Sequence, residues 1–514
     1  MTDRNGKGNE VKLRVSEPEP QGGTTFSGRF SAASTRGARL VLLGMLVLLS
    51  ACTVGPNYQR PPVDLPNAYR GTTAVGMPAP SVGDLAWWDL FEDPALQELI
   101  RTALAANHDL QIAVTRILQA EAQVTVARSQ LFPTVNGNVA APYVGFTGAQ
   151  GNRPPNVPRD TFAPLGGASV SWELDLWGRL RRATESARAD LLATEEARRG
   201  VVTTLVAQVA QAYFDLRSLD AVLEISRGTL RSRRQSLDLM QARHEHGLSP
   251  LMDVRQAEAL VQEAARTVPD VERRIEQTEN AINLLLARNP GPVPRGRPLV
   301  EQITIPVAPA GVPSDLLERR PDIRQAEAQM IAANAQIGAV KAQLFPTVMI
   351  TGFAGGGGAV VSGQTFGPFG LFQAAPTITI PIFNAGRLMA QVDLAEARTR
   401  EAVIRYQQAI QGAVSEVADS LVEVRKREEV RQEQVKLVAA LQDASDLAST
   451  RYTGGVTNYL EVLDTETRLF GSELTLVQAQ LDNAVAVIQL YRSLGGGWTA
   501  QETASAQQKA SEHP

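Results

Sequence analysis

The sequence predicts an α+β membrane protein built by internal duplication, in which very long coiled-coil helices alternate with β-hairpins. Three observations lead there. Gln130-Leu131-Phe132-Pro133-Thr134-Val135 recurs 213 positions later as Gln343-Leu344-Phe345-Pro346-Thr347-Val348. Gly178-Arg179-Leu180 recurs 208 positions later as Gly386-Arg387-Leu388, and Arg243 and Gly247 recur at that same offset as Arg451 and Gly455. Between these landmarks each half reads as helix, strand, loop, strand, a helix of unusual length, a sharp turn and a returning helix. A period this long is not a small solenoid repeat; it is a half-domain copied.

Composition narrows the function. Among 514 residues, 50 Lys/Arg stand against 54 Asp/Glu, a formal net charge of −4. Seven of the basic residues precede position 52, so the remainder is more acidic still and is no partner for nucleic acid. One Cys and four His exclude a disulfide framework and a thiol–metal site. No apolar run of about 18 residues follows position 52, so no transmembrane helix is expected there.

Residues 1–51 read as a signal peptide with an N-terminal extension. Arg36 and Arg39 precede the apolar run Leu40 to Leu49, and small residues follow. Leu49-Ser50-Ala51-Cys52 is similar to a bacterial lipobox, which implies cleavage before Cys52 and acylation of its thiol. Residues 52–92 are rich in Pro and Gly and read as a lipid-anchored irregular arm. Trp87, Trp88 and Phe91 read there as ordinary packing residues.

The first repeat spans 93–289. Asp93 caps a helix whose first residue is Pro94, and the helical pattern runs to about Leu131. A strand pair follows within 134–176. Val135, Gly137 and Val139 share one face of its first strand; Val170, Trp172, Leu174 and Leu176 share one face of its second. Residues 141–163 read as a loop. From Gly178 to about His246 the seam Val202, Leu205, Val209, Ala212, Leu216, Leu219, Leu223 keeps coiled-coil spacing. A returning helix covers about 251–289, with a kink or a restart expected at Pro269.

Residues 290–312 form a Pro/Gly-rich linker. The second repeat, 313–494, carries a strand pair within 347–383, in which Ile378, Ile380 and Ile382 alternate with Thr377, Thr379 and Pro381. Gly355 to Gly358 reads as its hairpin tip. The long helix shows Ile410, Val414, Val417, Leu421 and Val424 as its seam, and 495–514 reads as a disordered tail.

Alternating strands fit a membrane barrel wall or a half-buried soluble sheet equally well. The lipobox and the long helices favour the membrane. Four strands cannot close a barrel, because known transmembrane barrels need at least about eight. Several chains must then share one, and three copies give twelve strands.

At this point the chain resembles the TolC-like outer-membrane efflux family, in its lipoprotein (NodT/OprM-like) branch. The resemblance rests on the lipobox, the paired Leu-Phe-Pro-Thr-Val and Gly-Arg-Leu stretches and Arg451-Tyr452-x-x-Gly455. The most specific match is Leu316-Leu317-Glu318-Arg319-Arg320-Pro321-Asp322-Ile323-Arg324. The resemblance implies a homotrimer with a shared twelve-stranded outer-membrane barrel and an α-helical periplasmic tunnel. It implies an exit duct for small toxic compounds, without cofactor or catalysis. The implied partners are a periplasmic membrane-fusion adaptor and an inner-membrane transporter, usually proton-driven and of the RND type.

No Gly-x-Ser-x-Gly and no P-loop contradicts that non-enzymatic reading. His244 and His246 stand at a turn and read as solvated. Glu461 and Asp464, three apart, share a helix face one turn from the second tip. In a trimer they form a charged ring of the kind that controls cation access. The resemblance implies a periplasmic constriction at Leu460 and Asp464, with an acid in some members at Glu461; Asp253 is the first-repeat counterpart of Glu461. Arg451 and Tyr452 are expected to bond acids on a neighbouring helix and so hold the tip closed. Two other classes stay open: a duct for secreted polypeptides, and a peripheral helical scaffold that spans nothing.

Overall fold

The computed structural model describes residues 53–70, 86–145, 160–301 and 313–496. Cys52, the signal peptide at 1–51, the tail beyond 496, and part of the linker and of the first loop lie outside the described residues.

The helices of the first repeat are α1 (Trp87–Leu90), α2 (Pro94–Ala106), α3 (His108–Ser129), α4 (Arg179–Glu245) and α5 (Leu251–Leu285). Those of the second are α6 (Leu316–Arg319), α7 (Pro321–Lys341), α8 (Arg387–Thr453) and α9 (Tyr459–Ser493). Both long helices, α4 and α8, have 67 residues, about 100 Å at 1.5 Å per residue. The seam expected on α4 is the buried one: Leu205, Val209, Leu216 and Leu219 are all at most 5% exposed.

The entering helix is not continuous. It breaks at Asn107, whose side chain caps α3 by accepting from Leu110 N (3.1 Å) and donates Nδ2 to the last carbonyl of α5, Leu285 O (2.9 Å). The second repeat breaks at the matching position. Arg320 Nη1 donates to the last carbonyl of α9, Ser493 O (2.8 Å). Each joint therefore satisfies a helix end that would otherwise be unpaired. It also places α3 and α5, like α7 and α9, end to end along one long helix.

Asp93 caps α2 as expected, accepting from Ala95 N at 2.9 Å, and its other oxygen accepts from the Tyr213 hydroxyl at 2.6 Å. The segment around Trp87 is helical rather than irregular: Trp87 and Phe91 are buried, and Phe91 packs against Phe214 and Tyr491. The segment after α5 is no free linker either. Val293 and Leu299 are buried in the main core, and Val293 N donates to Glu279. Pro269 does not restart α5, which runs unbroken from Leu251 to Leu285.

The sheet contains β1 (Thr134–Ala140), β2 (Tyr143–Gly145), β3 (Asp160–Phe162), β4 (Leu165–Leu174), β5 (Thr347–Val361) and β6 (Gln364–Thr379), all antiparallel. The stretch read as a loop thus contains β2 and β3. They continue β1 and β4 past interruptions at Pro142 and Pro164, where proline cannot donate to the ladder. The lateral order is β1-β4-β5-β6. Gly355, Gly356 and Gly357 are not a hairpin tip; they pair within β5 with β4 and β6, and the tip is Ser362-Gly363. Without side chains, those glycines let neighbouring strands approach closely, which imitates turn composition. Ile380 and Ile382 lie beyond the end of β6, and Leu176 beyond the end of β4.

Register sorts the side chains into two faces, because residues directly opposite in an antiparallel pair share a face. Val135 pairs with Val170, Trp172 with Ile350, and Leu174 with Val348, which pairs with Ile378. These apolar residues share one face. Ser169, Ser171, Glu173, Thr351 and Thr379 take the other. Val135 and Ile378 are 64% and 63% exposed, so the apolar face is uncovered in the single chain. Among the described residues, no helix is long and apolar enough to cross a membrane.

Candidate functional site

The two helix hairpins end in tips built alike. At the end of α4, Leu248 N donates to Arg243 O (2.8 Å) across Gly247 at φ 72°; at the end of α8, Val456 N donates to Arg451 O (2.9 Å) across Gly455 at φ 74°. This is the left-handed helix stop that glycine favours, and it explains the recurrence of Arg-x-x-x-Gly. Asn458 caps α9 by accepting from Glu461 N.

Behind the tips lies a small core drawn from all four helices: Met240, Val254, Ala257, Ala448, Tyr452, Tyr459, Val462 and Leu463. Tyr452 belongs to it, which corrects the expectation that its hydroxyl meets an acid. The hydroxyl donates to Met240 Sδ at 3.2 Å. Its ring lies 5.3 Å from that of Tyr459, and the Arg243 guanidinium stands 5.1 Å over it.

Arg451 does meet an acid, within its own hairpin. Its Nη1 is 3.1 Å from Glu461, whose other oxygen accepts from the Thr457 hydroxyl. Asp464 pairs with Arg468 at 3.0 Å one turn along α9. Sequence reading missed Arg468, although the i, i+4 spacing signals it. Both pairs are well exposed, and such pairs contribute about 0–1 kcal/mol. Burying one large apolar side chain contributes about 1.5–3 kcal/mol. The hairpins are therefore held together mainly by the tip core, with the ion pair a minor partner.

Leu460 is 59% exposed at the tip. Asp253 is half-buried on the first turn of α5. It comes close to Tyr459, whose hydroxyl is pushed up by burial and further by the charges of Glu466 and Asp253. His244 Nδ1 and His246 Nδ1 bond the backbone oxygens of Ser249 and Ala242, and the described residues contain no cluster able to hold a metal ion.

At the opposite end of the rods, Thr53 rests against Gly178, and Val54 N donates to Trp177 O at 3.0 Å. The residue following Cys52 thus sits where β4 gives way to α4.

Comparison with known proteins agrees with this geometry. The family described as outer membrane efflux protein matches residues 99–288 and 312–496, one stretch per repeat. The chain is 36% identical over 479 residues to the solvent efflux pump outer membrane protein SrpC of Pseudomonas putida, covering 89% of this chain and 98% of that protein. It is 33% identical over 465 residues to the cation efflux system protein CusC of Escherichia coli, covering 90% and 99%. The fold matches the open-state crystal structure of the MtrE outer membrane channel of Neisseria gonorrhoeae with a TM-score of 0.76 at 32% identity, over 87% of this chain and 99% of that one. With both repeats matched and the relatives spanned almost end to end, the chain belongs to the outer membrane efflux protein family.

Proposed function

We propose that three copies of this chain form the outer-membrane exit duct of a tripartite efflux pump. The observation that carries the reading is the sheet. Among the described residues β1 and β6 have no outer neighbour, and the apolar face between them is uncovered. Open edges are not tolerated in lipid, where each backbone polar group needs a partner. Pairing β6 of one copy with β1 of the next closes the ring, and three copies supply the twelve strands a barrel needs. The helices continue as a tunnel whose far end is the tips, where Leu460, Glu461, Asp464 and, from the first repeat, Asp253 ring the aperture. Exposed Leu248, Leu251, Met252 and Val456 offer an apolar landing for a periplasmic membrane-fusion adaptor, which links the duct to an inner-membrane transporter of the RND type. Cys52 carries the lipid; the seat of Thr53 at the strand–helix boundary supports an anchor at the membrane surface.

The cargo is a small toxic compound; the names of SrpC and CusC, solvent and cation efflux, support that class. The test is extraction followed by native electrophoresis and planar-bilayer recording. A trimer released only by detergent, conducting ions, is expected. A protein washed off without detergent as a monomer would leave only the scaffold reading.

A further inference from the structure

We infer that the tip hairpins turn on a polar layer buried in the helix bundle, roughly ten to twenty residues above the tips. The inference deepens the aperture reading and rests on it.

The apolar interior thins between two clusters, where Val261, Ala264 and Phe470 are its buried apolar residues. The main core reaches Leu219 on α4, Val271 on α5, Val424 on α8 and Val477 on α9. The tip core begins only at Met240, Ala257, Ala448 and Leu463. Between them α4 buries two polar side chains, Ser226 at 0% and Arg233 at 2% exposure. Among the described residues, Ser226 Oγ and Arg233 Nε and Nη2 find no hydrogen-bond partner. Arg233 Nη1 reaches Leu260 O (2.9 Å) and Glu263 (3.2 Å) on α5, and its guanidinium covers the Phe470 ring on α9 at 5.2 Å. On the other side of the layer Gln434 of α8 donates to Ser472 of α9.

A buried layer with unmet donors weakens the packing on either side of it. The same level is weak in three of the four backbones. Arg227–Glu272 and Arg233–Glu263 bracket Pro269 between α4 and α5. Proline there leaves the Ala265 carbonyl without its helix bond. Gly228 lies within α4 and Gly471 within α9. A side chain at Gly471 would meet nothing within 4 Å, and one at Gly228 only the tip of Arg231, so packing explains neither glycine. Glycine and proline inside helices are where helices bend. Two rigid cores joined through one soft level form a hinge. Below it, the tip core with Glu461 and Asp464 moves as one body.

Hydrogen exchange of the full-length trimer tests this. Amides in 226–233, 264–271 and 466–472 should exchange roughly tenfold or more faster than helix on either side. Ser226→Ala with Arg233→Met removes the unmet donors from the layer; Pro269→Ala with Gly471→Ala restores the backbones without touching them. Either pair should slow exchange there and cut channel opening in a planar bilayer by about tenfold. If the first pair fails to assemble, the second decides. Protection declining smoothly toward the tips, or variants that leave exchange and opening unchanged, would overturn the hinge. The aperture reading fails separately: Glu461→Gln with Asp464→Asn would leave ion selectivity unchanged while the fast-exchanging layer persists.

Discussion

Gly55 and Gly338 cross backbone to backbone. A Cβ on Gly55 would stand 2.5 Å from Gly338 Cα, and one on Gly338 would stand 2.6 Å from Val54 O. The crossing seats residues 53–70 on both repeats at once. Arg182 of α4 donates to Asn57 at 2.6 Å, and Asn334 of α7 donates to Pro56 O at 3.1 Å. Gly338→Ala should unseat this arm at a cost of about 1–3 kcal/mol. Brief chymotrypsin treatment should then cleave after Tyr58 in the variant and spare the native chain, where Tyr58 is half-buried against Glu327. Equal resistance would show that the arm is held elsewhere.

The arm's seat should also respond to acid. Arg60 bonds Glu327 and Glu318, and Tyr58 donates to Glu327 at 2.8 Å. Burial pushes the Glu327 carboxyl up, but the bonds from Arg60 and Tyr58 outweigh it and hold the group below its ordinary range. A depressed carboxyl stabilises above its unfolded pKa, about 4.3, and that contribution is lost as pH falls through the lower folded value. Chymotrypsin is slow in acid, so pepsin is the suitable probe there. Cleavage within 53–70 should accelerate below about pH 4. Glu327→Gln should already be cleaved by chymotrypsin at neutral pH and show a flatter pepsin profile in acid.

Cys52→Ser should lose palmitate labelling and accumulate as unprocessed or misplaced precursor. Two attachments act here, the lipid and the proposed barrel, so some channel function should survive. Labelling that persists in the variant would remove Cys52 from the anchor.

The sheet faces give a paired test. Ile378 lies on the apolar face and Thr379 on the polar one. Ile378 lies one residue from the end of β6, so Ile378→Arg should cost less than the roughly 2–4 kcal/mol of a midplane site, yet reduce assembled trimer more than Thr379→Arg. Ile380 would be a poor probe because it lies past the strand end. If native gels show the same trimer yield for both, the sheet does not face lipid.

At the aperture, neutralising Glu461 and Asp464 together should weaken cation selectivity. Arg451→Ala should raise conductance only slightly, since an exposed pair is worth about 0–1 kcal/mol. Tyr452→Ala should loosen the tips far more, because truncating a buried aromatic costs about 3–5 kcal/mol. Bilayer recordings ranking Arg451 above Tyr452 would contradict the view that the tip core provides closure.

What the sequence determined by itself is whatever a local period or turn residue encodes. The 67-residue helices follow from an uninterrupted 3-4 spacing, and the tips from Gly247 and Gly455. The faces of β1 and β4 follow from alternation. Tertiary structure decided whatever needs a distant partner. The breaks at Asn107 and Arg320 have local signals, a capping Asn and Pro321 at the first position of α7, but what each joint bonds is a helix end 178 or 173 residues away. Tyr452 looked like a gate hydroxyl until Met240, 212 positions upstream, was found beneath it. Gly355 to Gly357 suggested a turn because glycine composition is the same for a chain reversal and for a close strand approach, and only the β4–β5–β6 register distinguishes them. Spacing reports which way a side chain points; it does not report what meets it, because that depends on chain segments brought together only by folding.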